Sequence, residues 1–262
     1  MKKFILLNAL ILVMTSGAMA AIPITTKTVE YQDNTSVYEG YFVYPSVGKG
    51  KLPVVVLIHA WKGLGTYEKN RADEMAQWGY AVLAIDMYGK GVRPASAEQA
   101  ATLSGALKRN RELLRSRAIL GINFAKTLPR VDASRIAVTG FCFGGGAALE
   151  VARAGVPIKG VASFHGNLDT PKPSDARNIK GKVLVLTGAD DPFVPTAQIA
   201  AFESEMRAAE ADWQLVKYGN AVHAFTDPGA GSDPQAGAAY NEAAAKRSLA
   251  LFRSFLTEVF GN

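Results

Sequence analysis

A single cysteine among 262 residues excludes any disulfide within the chain. Histidine is nearly as scarce, with three in all, so a search for a general base is short. No block of Lys and Arg interleaved with aromatics occurs and the charges are scattered, which speaks against a nucleic-acid partner despite a formal charge of +6. There is no internal repeat and no low-complexity linker, and 48% apolar residues suffice for one core without metal or disulfide staples. A G-x-G-x-x-G loop is missing, and no Lys-Ser/Thr pair follows the glycine cluster, so a phosphate-binding loop is a poor fit. Nor is there an apolar run of membrane-spanning length at the N-terminus. What stands there is Lys2 and Lys3, a short apolar run from Phe4 to Met14, and Ala18-Met19-Ala20, the pattern of a secretory signal with its cleavage site. Ala21 rather than a cysteine follows, so no lipid anchor is expected. Residues 1–20 are therefore expected to be removed. An exported protein of residues 21–262, periplasmic or secreted and with a charge of about +4, would remain.

The remainder alternates strand and helix patterns. "TKTVEYQ" and "SVYEGYFVYPS" flank a polar "DNTS" turn and read as an antiparallel hairpin. "LPVVVLIHA", "YAVLAIDMYG", "SRIAVTG", "IKGVASFHG", "GKVLVLTGADD" and "DWQLVKYG" read as strands, the first a near-continuous β-branched run of a strand buried on both faces. Between them "YEKNRADEMAQWGY", the segment from about 95 to 127, "GGGAALEVARAG" and "TAQIAAFESEMRAAEA" read as helices. "GAAYNEAAAKRSLALFRSFLTEVF" closes the chain as an amphipathic helix. This order predicts one α/β domain: a mainly parallel sheet with an N-terminal antiparallel hairpin and helices on both faces.

The lone thiol sits in "TGFCFGGG", a strand followed by small-x-nucleophile-x-small and then a helix. A nucleophile at so sharp a turn leaves no room for side chains two residues away on either side, and Gly140 and Gly144 occupy those places. The turn lifts Cys142 to the start of a helix, where the helix end favours a thiolate and the N–H of Phe143 faces a developing oxyanion. A buried structural cysteine is the plainer alternative. A thiol in an oxidising compartment is a liability, however, so its retention is informative.

All three histidines, His59, His165 and His223, fall near the carboxyl ends of predicted strands, where open α/β sheets build their sites. Chain order separates them. With the order nucleophile, acid, base, only His223 follows both Cys142 and a plausible acid, Asp190 or Asp191 of "GADDPFVP". His59 and His165 read as supporting groups, and Asp86 as structural.

Together, "VVVLIHAWKGL", "GYAVLAIDMYGKG", "GFCFGGG", "GADDPFVP" and "HAF" resemble the dienelactone hydrolases of the α/β-hydrolase superfamily, across nearly all of the chain after residue 20. The resemblance implies Cys142 as nucleophile, Asp191 as acid and His223 as base, with the N–H groups of Phe143 and Trp61 as oxyanion hole. Hydrolysis of a small carboxylic ester or lactone through an acyl-cysteine, without metal or organic cofactor, follows from it. His59, Ala60, Lys62, Tyr88, Lys90, His165 and Phe225 are the residues expected around the pocket, and a monomer is expected.

Two departures stand out. The family glutamate that follows the strand matching "VVVLIH" is replaced here by Ala60, leaving His223 as the base for Cys142. The family arginine shortly after the histidine is replaced by Thr226 and Asp227, so an acidic group stands where a substrate carboxylate would dock and dienelactone is expected to be turned over poorly. Lys62, Lys90 or Arg93 would have to supply a cation. The rival readings are a thioesterase or acyltransferase of the same fold, or a ligand-binding relative without activity. A redox role is disfavoured because no resolving cysteine exists.

Overall fold

The β-branched runs pair into one eight-stranded sheet in the computed structural model, which describes residues 21–261. The expected signal segment, residues 1–20, lies outside the described residues. Strand β1 (Ile24–Gln32) and strand β2 (Val37–Pro45) form the antiparallel hairpin. Its turn is held by Asp33, whose Oδ1 accepts from the N–H groups of Thr35 and Ser36. The other strands are β3 (Leu52–Ile58), β4 (Ala81–Ile85), β5 (Val131–Phe141), β6 (Gly160–Phe164), β7 (Lys182–Gly188) and β8 (Trp213–Tyr218). The order is β1-β2-β4-β3-β5-β6-β7-β8, with β2 antiparallel to β4 and every pairing from β4 to β8 parallel. The order of strands reverses at β3, so the crevice above the carboxyl ends of β3 and β5 is the place where an α/β sheet opens for a ligand.

Helices α1 (Thr66–Gln77), α2 (Ala97–Arg109), α3 (Arg111–Ala125), α4 (Phe143–Arg153), α5 (Thr196–Ala208) and α6 (Glu242–Phe260) cover the sheet. Alternation along β3 assigns the two faces. Val54, Val56 and Ile58 pack with residues of α3, α4 and α5, whereas Val55 and Leu57 pack with residues of α1 and α6. Near-complete burial of β3, β4, β6 and β7 explains why their sequences read as continuous apolar runs.

Two helical boundaries differ from the sequence reading. The stretch from 95 to 127 is two helices, because Asn110 ends the first and caps the second, its Oδ1 accepting from the Leu113 N–H at 3.0 Å. The last helix begins at Glu242 rather than near Gly237. Asn241 caps it through the Ala244 N–H, and the preceding residues are drawn into backbone pairing with the His223 loop.

Helix α4 is buried along its whole length, charges included. Arg153 donates to both Glu205 oxygens at 2.8 Å and to Glu150 at 3.0 Å, and Arg115 donates to the other Glu150 oxygen at 2.9 Å. Both charges of this helix thus have hydrogen-bonded counter-charges, without which burial would cost on the order of several kcal/mol per ion. The helix carrying the thiol at one end is clamped at the other.

Candidate active site

Between β5 and α4 the chain turns on Cys142, whose φ of 56° and ψ of −117° are costly for any residue with a side chain. A Cβ on Gly140 would lie 2.1 Å from the Gly144 carbonyl oxygen, and one on Gly144 would lie 2.1 Å from the Ile58 oxygen. Both places require glycine, and the approach of Gly144 to β3 brings the thiol beside the loop that follows that strand. The turn is pinned by the Cys142 N–H, which donates to the Phe164 carbonyl at 2.9 Å and reaches His165 Nδ1 at 3.2 Å.

His223 Nε2 lies 3.0 Å from Cys142 Sγ, and His223 Nδ1 lies 2.8 Å from Asp191 Oδ2. A carboxylate can only accept, so Nδ1 carries the hydrogen and Nε2 faces the sulfur. The other Asp191 oxygen accepts from the Phe193 N–H at 2.8 Å, which fixes the carboxylate; Asp190, its neighbour, is exposed. The backbone of His223 is held on both sides, its N–H donating to Gly237 O and its carbonyl accepting from Ala239. Residues 237–239, read as helix from sequence, are thus the strap that presents the imidazole.

The electrostatics follow from this geometry. Burial pushes the His223 pKa down, but the hydrogen bonds to Asp191 and Cys142, with the charges of both, outweigh it and raise it to about 9. Burial likewise pushes the Cys142 thiol up. The hydrogen bond and charge of His223 outweigh that, with help from the Phe143 N–H and the charge of Lys108, and hold the thiol below its ordinary value.

The loop after β3 is built from groups that sequence alone does not connect. His59 is fully buried; its Nε2 accepts from the Met87 N–H at 3.0 Å, so its Nδ1–H donates to the Ala60 carbonyl at 2.7 Å. Glu68, in the first turn of α1, accepts from the N–H groups of Ala60 at 3.0 Å and Gly65 at 2.9 Å. Tyr88 donates its hydroxyl to the Trp61 carbonyl at 2.7 Å. The Trp61 N–H is left without a partner among the described residues, and the Phe143 N–H is engaged only by the sulfur. Sequence reasoning missed Glu68; its place at the third helical position after Gly65 was the available signal.

The residues expected around the pocket differ widely in accessibility. His59 and Phe225 are fully buried and His165 is nearly so, because strand-end position does not reveal which way a side chain points. His165 spends its second nitrogen on Thr226 Oγ1 at 2.8 Å, and Thr226 meets the Tyr67 hydroxyl at 2.7 Å. Burial, and then the charge of His223, hold the His165 pKa well down, which keeps it neutral beside His223. Lys90 is paired with Glu30 at 2.6 Å, and Arg93 donates to the Leu64 carbonyl beside Asp86 and Glu39. Lys62 is exposed, its ammonium 6.0 Å from the ring of Trp61. Asp227 caps its own turn through the Gly229 N–H at 2.8 Å. The residue whose charge does bear on Cys142, Lys108, was not among those expected. Among the described residues no group of three His, Cys, Asp or Glu side chains is spaced to hold a metal ion.

Comparison with known proteins identifies the family of the chain. The sequence model described as the dienelactone hydrolase family matches residues 38–260. A solved structure named m3DLH is 37% identical, with a TM-score of 0.87 over 90% of this chain and 99% of that one. A dienelactone hydrolase-like promiscuous phosphotriesterase, P91, from metagenomic libraries, is also 37% identical, with a TM-score of 0.85 over the same shares. A probable 2-oxo-3-(5-oxofuran-2-ylidene)propanoate lactonase of Bradyrhizobium is 29% identical over 223 residues, covering 79% of this chain and 86% of its own.

Proposed function

The chain belongs to the dienelactone hydrolase family and is a hydrolase, and on that basis we propose that it cleaves carboxylic esters or lactones with Cys142 as nucleophile, His223 as acid–base and Asp191 as its orienting carboxylate. The observation that carries this reading is the continuous line of short contacts from Asp191 Oδ2 through the imidazole to Cys142 Sγ, 2.8 Å and 3.0 Å. The raised imidazole and the lowered thiol both favour thiolate and imidazolium as the resting pair.

In the first half-reaction the sulfur forms a bond to the acyl carbon while the carbonyl π electrons move to oxygen. The oxyanion is met by the N–H groups of Phe143 and Trp61. As the carbonyl re-forms, the C–O bond to the leaving oxygen breaks and Nε2 gives that oxygen its proton. Water then gives a proton to Nε2 as its oxygen attacks the thioester, and the C–S bond breaks to release the acid and restore thiolate and imidazolium. In a lactone, acid and alcohol leave as one molecule. Export through residues 1–20 is part of the same proposal and rests on the signal pattern of that segment.

Hydrolysis of short 4-nitrophenyl esters tests the reading. Cys142→Ala should lose at least about 10³-fold in kcat, and the wild type should yield one acylated peptide, containing Cys142, on rapid quench. Equal rates in the two proteins would refute it.

A further inference from the structure

Three loops meet beside the thiol: the elbow, the turn after β6 and the loop that carries His223. Each contains a non-glycine residue in left-handed backbone, Cys142 at φ 56°, His165 at 39° and Ala224 at 56°. Such backbone is costly and persists only where its surroundings over-determine it. One side chain joins all three loops. It is the imidazole of His165, only 2% exposed, which takes no part in the proton transfers described above.

Both nitrogens of that ring are committed. Nδ1 accepts the Cys142 N–H at 3.2 Å, so the hydrogen is on Nε2, which donates to Thr226 Oγ1 at 2.8 Å. Thr226 follows His223 by three residues and is 1% exposed; its hydroxyl meets that of Tyr67, in the first turn of α1, at 2.7 Å. The His165 N–H is tied to the Leu186 carbonyl of β7 at 2.7 Å. A line of hydrogen bonds thus runs from the nucleophile's own backbone to the loop of the base and on to α1, anchored on the sheet. It links the same two loops as the 3.0 Å contact between Sγ and Nε2, by a separate route. The His223 ring itself is met edge-on by His165 and by Phe193, in each case with ring centroids 5.2 Å apart. The Phe164 carbonyl also accepts the Cys142 N–H, at 2.9 Å, so the turn of the elbow has a second support. What His165 adds is the joint between the elbow and the base.

Resting on the hydrolase reading above, we propose that His165 is a positioning residue: held between the Cys142 N–H and Thr226 Oγ1, it sets the approach of the sulfur to the His223 imidazole before substrate arrives. Thr226 is the second member of this bridge and acts only through His165. Neither touches the reacting atoms. A rigid ring that accepts at one nitrogen and donates from the other suits the task, because it fixes both loops relative to one another and needs no charge to do so.

The test compares His165→Phe, Thr226→Val, Thr226→Ser and the double variant His165→Phe/Thr226→Val, each checked for folding by circular dichroism. Two readouts are taken: hydrolysis of 4-nitrophenyl acetate, and the pH dependence of Cys142 alkylation. In His165→Phe and in Thr226→Val the midpoint of the alkylation curve should rise by about 0.5 pH or more, though by less than in His223→Ala. In the same two variants kcat should fall by about tenfold or more with KM little changed. Thr226→Ser, which keeps the hydroxyl, should stay close to wild type on both readouts. The double variant should lose no more than His165→Phe alone, because the two residues form one bridge. A purely structural role would lower stability while leaving the alkylation curve and kcat of the folded variants where they were, and that result overturns the proposal, as do additive losses in the double variant. If His165→Phe does not fold, the contrast between Thr226→Val and Thr226→Ser decides the matter. Failure of the wild type to cleave the ester would refute the hydrolase reading, whereas the alkylation curves test the bridge without any substrate.

Discussion

The Ala60 backbone N–H donates to Glu68 Oε1 at 3.0 Å, and the second oxygen of that carboxylate accepts from Gly65 at 2.9 Å. One buried side chain therefore closes the loop that ends β3 onto the start of α1 and sets the plane of the peptide next to Trp61. Where the sequence places an alanine in the position of the family's glutamate, the fold still brings an acid to that alanine's backbone. Its part is to shape the loop and not to touch the sulfur.

Replacing Glu68 by Gln leaves one of the two N–H groups facing an amide NH2. The Trp61 N–H should then be displaced from the oxyanion, lowering kcat by about tenfold or somewhat more with KM little changed, a fraction of the effect of deleting an oxyanion donor outright. Steady-state kinetics on a neutral ester decide the matter; a change confined to KM would contradict this role.

Asp191→Asn should be more damaging. An amide at that place can donate to Nδ1 and so favour the tautomer whose hydrogen is on Nε2, facing the sulfur. A fall in kcat of about 10²–10⁴ is expected by analogy with other triads. The thiol's apparent pKa, followed by pH-dependent alkylation, should move up toward that of an ordinary cysteine.

The pH profile carries a definite sign. Below the lowered thiol value the sulfur is protonated and attack stops. Above about 9 the imidazolium loses the proton needed by the leaving oxygen. A bell is expected, with its alkaline limb near 9 and its acid limb under the ordinary thiol range. His223→Ala should shift the alkylation curve of Cys142 upward; an unmoved curve would break the pairing.

Gly144→Ala probes the elbow. The added methyl would lie 2.1 Å from the Ile58 oxygen and 2.6 Å from that of His59, neither of which can yield without moving β3. A loss of about 2–3 kcal/mol in urea unfolding is expected, with activity falling further than stability. Gly50→Ala, where a methyl meets nothing within 4 Å, is the matched control.

Much of this was legible from residues close in sequence. The elbow is a steric demand confined to five residues, and Gly140, Cys142 and Gly144 announce it. Chain order singled out His223 and Asp191, and the fold brings both into line with Cys142. The hairpin turn was readable because Asp33 hydrogen-bonds its own loop. What stayed hidden depends on the packing of distant segments. Nothing local says that the strand-end side chains of His59 and Phe225 point inward, that Gly237–Ala239 pairs with the His223 loop instead of joining a helix, or that Lys108, on an exposed-looking helix, swings toward Asn167. Those outcomes are set by which face of an element the rest of the chain covers.

The solitary, partly buried sulfur gives the protein a built-in stoichiometric handle. A maleimide or a disulfide-forming chromophore has one thiol to attach to, so label incorporated per chain counts reactive thiols directly, with no background from others and no engineered variant. A fluorophore or nitroxide fixed there would sense the strap and the Phe193 ring together, from within the unmodified sequence.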